Sequence, residues 1–155
     1  MSNSEVAAQL LKDGCACSQA VLTVYGESLG LSRKMAMKIA AGFAGGMRLG
    51  ATCGAVTGAF MVIGLRYASE PCDTAERRAN VYARVVEFTN KFRKLNGSIT
   101  CRTLLGYDIS TPEGMKQAKE RNLFKTNCVK MVQDAVAILE EMETENRQVH
   151  AANRP

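Results

Sequence analysis

Six cysteines are the residues of this 155-residue chain whose chemistry attracts attention first. They are Cys15, Cys17, Cys53, Cys72, Cys101 and Cys128. The N-terminus shows no signal peptide, so we expect a cytoplasmic protein, and cytoplasmic cysteines rarely form a structural disulfide framework. Because thiolates are nucleophiles and metal ligands, we expect metal binding or redox chemistry from several of these residues.

The cysteines share a position relative to the helices that the sequence predicts. Cys53 and Cys101 each directly follow a threonine, which is a common N-cap residue. Cys128 comes two residues after another threonine, and Cys17 lies within a turn of Asp13-Gly14, which ends the preceding helix. A helix N-terminus carries unpaired N–H groups and about half a positive charge. We therefore expect the helix starts to favour reactive thiolates.

The spacing of the cysteines leaves their arrangement in space open. Gaps of 36, 48 and 27 residues separate Cys17, Cys53, Cys101 and Cys128, unlike the tight pairs of zinc ribbons or bacterial ferredoxins. No Cys-x-x-Cys motif occurs, so a local dithiol of the thioredoxin type is absent. The only histidine, His150, lies in a polar tail and predicts no Cys–His pair. A structural role also stays open, because cysteine packs well as a small hydrophobic residue.

Glycine recurs at every fourth position from Gly42 to Gly58. The first part of this segment is too rich in glycine for a stable helix, and we predict a loop there. Residues 45–52 have the outline of a phosphate loop, but Ala51 stands where that motif requires lysine. The sequence is therefore not a P-loop, although a backbone nest beside Arg48 could hold an anion.

These segments together resemble the redox-active protein family that is named after its C…GCAxxG…C…C cysteine pattern. The matching pieces are Cys17-Ser18-Gln19-Ala20-Val21-Leu22, Gly42-Phe43-Ala44-Gly45-Gly46-Met47, Gly50-Ala51-Thr52-Cys53-Gly54-Ala55-Val56-Thr57-Gly58, Cys101-Arg102-Thr103-Leu104-Leu105-Gly106 and Cys128. Where the family name writes Gly-Cys-Ala, this chain reads Cys53-Gly54-Ala55. The resemblance implies a small helical protein of bacteria and archaea, mostly anaerobes, with a proposed redox function. A similar domain is attached to split-Soret cytochromes, where an iron–sulfur cluster is associated with it.

The resemblance also implies which residues form the site. The expected redox thiols or metal ligands are Cys17, Cys53, Cys101 and Cys128. The glycines expected beside a cofactor are Gly50, Gly54 and Gly58. Cys15 and Cys72 fall outside the family pattern, and we expect no role for them.

Three functions stay open on this sequence. The first is electron transfer by an iron–sulfur cluster or another metal bound to the four cysteines. The second is a metal-free thiol–disulfide protein, which needs two cysteine Cα atoms within about 5.5–6 Å of each other. The third is a non-redox helical interaction module, with the cysteines in its core and a glycine face as the surface of a homodimer. A redox partner protein is expected in the first two cases, but the sequence does not identify that partner. The sequence also does not tell whether the protein is an enzyme.

Helices are predicted to position these residues, because apolar residues recur every three or four positions along the chain. Predicted helices cover Glu5–Lys12, Cys15–Gly30, Arg33–Phe43, Cys53–Ala68, Asp73–Leu95, Cys101–Gly106, a short segment from Thr111 and Thr126–Glu143. The Cys53–Ala68 helix is the most apolar and is expected at the centre, where Gly54 and Gly58 would let another backbone approach closely. No segment shows the alternation of a strand. We therefore predict an all-α, single-domain helical bundle of about five to seven helices.

Composition and charge exclude several classes of protein. With 46% hydrophobic and 23% charged residues, the chain is typical of a globular protein, and we predict one cysteine-rich domain over residues 1–145 and a polar tail over 146–155. The net charge is +5, but the basic residues are scattered and several adjoin acidic ones, which predicts no nucleic-acid surface. The longest apolar stretch, from Cys53 to Leu65, is too short to span a bilayer.

Overall fold

The computed structural model describes all residues from 1 to 155 and contains eight α-helices and no β-strand. The helices are α1 (Asn3–Lys12), α2 (Cys17–Gly26), α3 (Arg33–Ala40), α4 (Gly54–Tyr67), α5 (Ala75–Asn96), α6 (Cys101–Leu105), α7 (Pro112–Glu120) and α8 (Asn127–Ala152). The predicted all-α class is confirmed, with eight helices against the five to seven expected. None of these helices has the length and apolar character needed to cross a membrane.

Capping residues explain why most helices start and stop where the sequence predicts. The Ser32 hydroxyl accepts a hydrogen bond from the Met35 amide at 3.3 Å and begins α3. Gly97 and Gly106 end α5 and α6 in the left-handed conformation that glycine adopts without strain. Helix α8 continues to Ala152, beyond its predicted end near Glu143. Its added turns are held to α5, since Lys91 pairs with Glu145 at 3.2 Å and Arg84 donates to Asn146 at 3.0 Å.

Helix α4 lies at the centre of the main hydrophobic core, as its apolar sequence predicts. Val56, Val62 and Ile63 of this helix are fully buried. The core is completed by residues of the surrounding helices, among them Val21, Leu22, Phe88, Phe92, Val132, Val136 and Leu139. Burying these apolar side chains contributes most of the favourable free energy of folding, at roughly 1.5–3 kcal/mol for each large aliphatic or aromatic residue.

The glycine face of α4 is covered by α2 of the same chain. A Cβ on Gly58 would lie 2.8 Å from the Ser18 carbonyl oxygen and 3.1 Å from the Ser18 Cα. The expected close approach of a second backbone is therefore confirmed. Because α2 occupies this face, the face cannot serve as the dimer surface considered above, and a homodimer through another surface stays a prediction.

A second, smaller hydrophobic cluster lies beside the main one. It contains Cys101 and Leu105 of α6, Ile109, and Ala118 of α7, with Cys128 packed against it. Cys53 belongs to the main core, and Cys17 packs against that core. The cysteines of interest thus lie along the seam between the two clusters.

Candidate functional site

The starts of four helices carry the four cysteines that the resemblance singled out. Cys17 and Cys101 are the first residues of α2 and α6, Cys53 is the N-cap of α4, and Cys128 is the second residue of α8. All four side chains line one cavity of about 480 Å³. The structure therefore brings together residues that are far apart in sequence, which spacing alone could not predict.

Cys53 and Cys101 are aligned by backbone pairing between two short extended segments. Thr52 and Thr100 form an isolated antiparallel bridge. On one side of it the Cys53 amide donates to the Ile99 carbonyl at 2.7 Å, and on the other the Cys101 amide donates to the Ala51 carbonyl at 2.6 Å. This pairing fixes the starts of α4 and α6 next to each other.

Cys17 is positioned by contacts that hold the first turn of α2. The Ala16 amide donates to the Gln19 side chain at 2.9 Å, and the buried Ser18 hydroxyl donates to the Ala40 carbonyl at 2.7 Å. The Cys17 sulfur lies over Gly54, in the space that a side chain at that position would occupy. The absence of a Cβ at Gly54 is therefore what allows this thiol to reach the cavity.

Cys128 is brought to the cavity by the junction of α6 with α8. The Asn127 side-chain amide donates to the Leu104 carbonyl at 3.2 Å, so the start of α8 is tied to the last turn of α6. A 3₁₀ turn over Leu123–Lys125 leads the chain into this junction. The fourth thiol is thereby placed beside Cys101.

Burial dominates the acid–base properties of these thiols. Cys53 and Cys101 are only 7% and 5% exposed. Burial is the largest cause of a raised pKa at Cys101 and Cys128, and the charge of Cys17 is the second. Together they raise the pKa of Cys101 to about 11 and that of Cys128 to about 12. The same two causes raise the pKa of Cys53 further, and the Ala55 amide in the first turn of α4 opposes that rise only in part. For Cys53, Cys101 and Cys128 the expectation that the helix start favours the thiolate is therefore wrong, because desolvation outweighs the helix dipole.

The donor set determines which groups this cavity could hold. No three His, Cys, Asp or Glu side chains are close enough to coordinate a single metal ion. The four thiols line one cavity, and neighbouring thiolates raise the pKa of Cys53 and Cys128. Four thiolates become stable together only when a cationic centre compensates their repulsion, and a metal deprotonates its thiol ligands outright. The structure therefore groups four thiols at one cavity without a ready-made site for a single metal ion.

The three glycines expected beside a cofactor have different surroundings. Gly54 lines the cavity. Gly58 packs against the α2 backbone, and a Cβ on Gly50 would lie 2.8 Å from an Asp108 carboxylate oxygen. Gly50 and Gly58 thus shape the fold around the cavity and do not line it.

Cys15 also lines the cavity, although the sequence suggested no role for it. It lies in the turn between α1 and α2, where its amide donates to the Leu10 carbonyl at 3.0 Å. Its position two residues before Cys17 is the only sequence signal for this placement. Cys72, by contrast, lies in the loop before α5, with its sulfur 3.8 Å from the Arg77 carbonyl, and does not line the cavity. His150 is exposed near the end of α8.

An unusual turn of the glycine-rich loop also reaches the cavity. Gly45, Gly46, Met47 and Arg48 all have left-handed backbone angles, with φ values of 63°, 62°, 56° and 61°. The Ala51 amide closes the turn on the Gly46 carbonyl at 3.1 Å, and the Arg102 guanidinium holds the Gly50 carbonyl at 3.2 Å. The segment forms no α-helix, as predicted, but it contains a 3₁₀ turn over Ala41–Phe43 and a left-handed turn that the sequence does not predict. The turn brings Arg48 to the cavity.

A model of one protein family matches residues 15–142 of the chain, and that family is described as "Putative redox-active protein (C_GCAxxG_C_C)". The matched region contains every residue of the cavity-lining cysteine set. No curated protein matches the chain with significant similarity. No solved structure does so either.

Proposed function

Because this chain belongs to the C_GCAxxG_C_C family of redox-active proteins, we propose that it is an electron-transfer protein. Cys17, Cys53, Cys101 and Cys128 would hold an iron–sulfur cluster in the cavity. Membership of the family supports the redox role, and the donor set supports this choice of cofactor. Clusters of two or four irons are held by four cysteine thiolates in many proteins.

The observation that carries the proposal is the convergence of four largely buried thiols on one cavity. Each of the raised pKa values reflects burial first and neighbouring sulfur second. These thiols are costly to ionise together unless a cation lies next to them. A cofactor with several metal ions would supply that compensating charge. A helical domain that needed only small apolar residues would not have to place four thiols together.

The residues around the thiols have separate tasks in this proposal. The Thr52–Thr100 bridge keeps the Cys53 and Cys101 sulfurs in a fixed relation. Most cavity-lining residues are apolar, among them Leu104, Leu105 and Phe124, and they limit the access of water. An iron–sulfur cluster supplies one-electron oxidation and reduction when it is bound, and its apolar surroundings set the potential at which this occurs.

The same acid–base properties weigh against a metal-free thiol–disulfide cycle. The attacking species in such a cycle is a thiolate, and the optimum attacking thiol has a pKa near the ambient pH. Burial holds the pKa of Cys101 and Cys128 at about 11 and about 12. Burial therefore makes Cys101 and Cys128 poor attacking thiols for disulfide exchange near neutral pH.

The test is an anaerobic preparation of the whole protein. We expect a brown protein with stoichiometric iron and acid-labile sulfide, and an electron paramagnetic resonance signal on reduction. Serine substitution of Cys53 or Cys101 should remove most of the iron. Cys72→Ser is the matched control and should retain it, because Cys72 lies outside the cavity.

Two other results would contradict the proposal. A colourless protein that loses two thiols reversibly on oxidation would establish the thiol–disulfide cycle instead. A protein without metal and with inert thiols would indicate a structural role for the cysteines.

A further inference from the structure

The cavity lined by the four thiols has the size of a small-molecule site. The cavity measures about 480 Å³. Cavities of roughly 300–1,000 Å³ are typical of small-molecule sites. A substantial space therefore adjoins the thiols.

Three cationic side chains stand at the entrance to this space. Lys12, Arg48 and Lys125 line the cavity and are exposed; we call them the basic rim. None of the three forms an ion pair or a side-chain hydrogen bond within the chain, so their charges are available to a ligand. No aspartate or glutamate lines the cavity.

Arg48 is held at the rim by the left-handed turn rather than by a flexible loop. Each non-glycine residue in the left-handed conformation costs roughly 1–2 kcal/mol, and the turn contains two of them, Met47 and Arg48. Strained backbone that the surrounding structure maintains is found preferentially at binding and active sites.

The wall of the cavity is apolar, whereas its rim is basic. Leu104, Leu105, Ile109 and Phe124 line it together with the thiols. A ligand that fits both parts has a negative group for the basic rim and a short apolar body for the wall. Inorganic phosphate would satisfy only the rim, and an uncharged apolar molecule only the wall.

We propose that this cavity binds a small organic monocarboxylate, with its carboxylate between Arg48, Lys12 and Lys125 and its apolar body against the α6 side of the cavity. The ligand would lie next to the four thiols, so the site would bring a substrate or effector to the redox centre. This inference rests on the proposed function only in naming the redox centre next to the ligand. The basic rim and the apolar wall are formed by residues of the chain and do not depend on that centre.

The experiment is titration of the whole protein, with and without its iron, by calorimetry. Hexanoate is the probe, and hexylamine and inorganic phosphate are the comparison ligands. We expect hexanoate to bind and both comparison ligands to bind at least about tenfold more weakly. Arg48→Gln and Lys125→Gln should each weaken hexanoate binding by about tenfold, the effect of losing a charged hydrogen bond. Arg33→Gln is the matched control, since Arg33 is exposed on α3 outside the cavity, and should leave the affinity unchanged.

Several results would overturn the proposal. Equal affinity for hexylamine would mean that the cavity is only hydrophobic. Unchanged hexanoate affinity in both rim variants, with a shifted reduction potential, would mean that the rim compensates the charge of the redox centre. No binding to a protein that carries iron would refute this inference alone. Binding to a protein that never carries iron would leave the inference standing and refute the iron–sulfur proposal.

Discussion

The sulfur of Cys17 and the α carbon of Gly54 are packed so closely that a Cβ on Gly54 would overlap the sulfur. The same Cβ would lie 3.0 Å from the Ala44 Cα and 3.2 Å from the Ser18 amide nitrogen. Two of these three neighbours are backbone atoms and cannot rotate away. The starts of α2 and α4 therefore meet at a position that only glycine can occupy.

We expect Gly54→Ala to destabilise the protein by about 1–3 kcal/mol, the usual cost of overpacking, and to displace the Cys17 sulfur from the cavity. Gly64→Ala in the same helix is the matched control, because a Cβ there meets nothing within 4 Å. The control should be neutral or stabilising by up to about 1 kcal/mol, since alanine favours a helix over glycine. Urea unfolding measures both values, and the iron content reports the position of Cys17. Equal stability of the two variants would contradict the close contact.

A second prediction concerns the left-handed turn at residues 45–48 and compares a variant inside the turn with one outside it. A Cβ on Gly46 would collide with the Ala51 backbone, and Gly46 has a φ of 62°. We expect Gly46→Ala to open the turn, to cost at least about 1–2 kcal/mol of stability and to lower iron content. Gly42→Ala in the same loop should have little effect, because no atom lies within 4 Å of its Cβ. Thermal unfolding and iron analysis of both variants test this expectation, which fails if Gly46→Ala behaves like its control.

The pKa values of the buried thiols predict how the iron-free protein responds to alkali. A group whose pKa is raised by folding stabilises the native state below its unfolded pKa, and this contribution is lost as the pH rises through the folded pKa. Here the ordinary pKa is 9.0, and burial raises that of Cys101 to about 11 and that of Cys128 to about 12. We therefore expect the unfolding free energy of iron-free protein to fall as the pH rises above about 9.

The control for this effect removes one of the thiols that cause it. Cys128→Ala should lose less stability than the parent protein between about pH 7.5 and about pH 10.5, because one buried ionisable group is gone. Cys72→Ser should show the full loss, since Cys72 lies outside the cavity. Urea unfolding of the three iron-free proteins at both pH values measures the difference. An identical loss in all three would show that the cavity thiols are not its source.

Much of the fold follows from local sequence signals. Ser32 begins α3 and Gly97 ends α5 because side-chain capping and the left-handed conformation are properties of a few neighbouring residues. The placement of Cys53 and Cys101 at helix starts is of the same kind and was also predicted. The central position of α4 followed from its nearly continuous apolar sequence.

The remaining features depend on contacts between distant segments. Nothing in the sequence near Thr52 specifies its pairing with Thr100, which requires the intervening α4 and α5 to fold back. The pKa of Cys101 was expected to be low because the helix dipole is visible in the sequence, whereas burial is not. Cys15 was missed as a cavity residue because the family pattern omits it.

The cysteines of the site come from α2, α4, α6 and α8, so every second helix of the fold contributes one. A ribosome adds Cys128 last, after the other three helix starts have been synthesised. The site is therefore incomplete on a nascent chain until α8 has emerged and docked. If the chain holds the proposed cluster, iron delivered earlier would meet at most three of the four sulfurs, so we expect stable loading to follow the completion of folding. Local unfolding at any one of the four helix starts would remove one cysteine ligand from the proposed cluster. Retention of iron would then report on the integrity of the whole helical bundle.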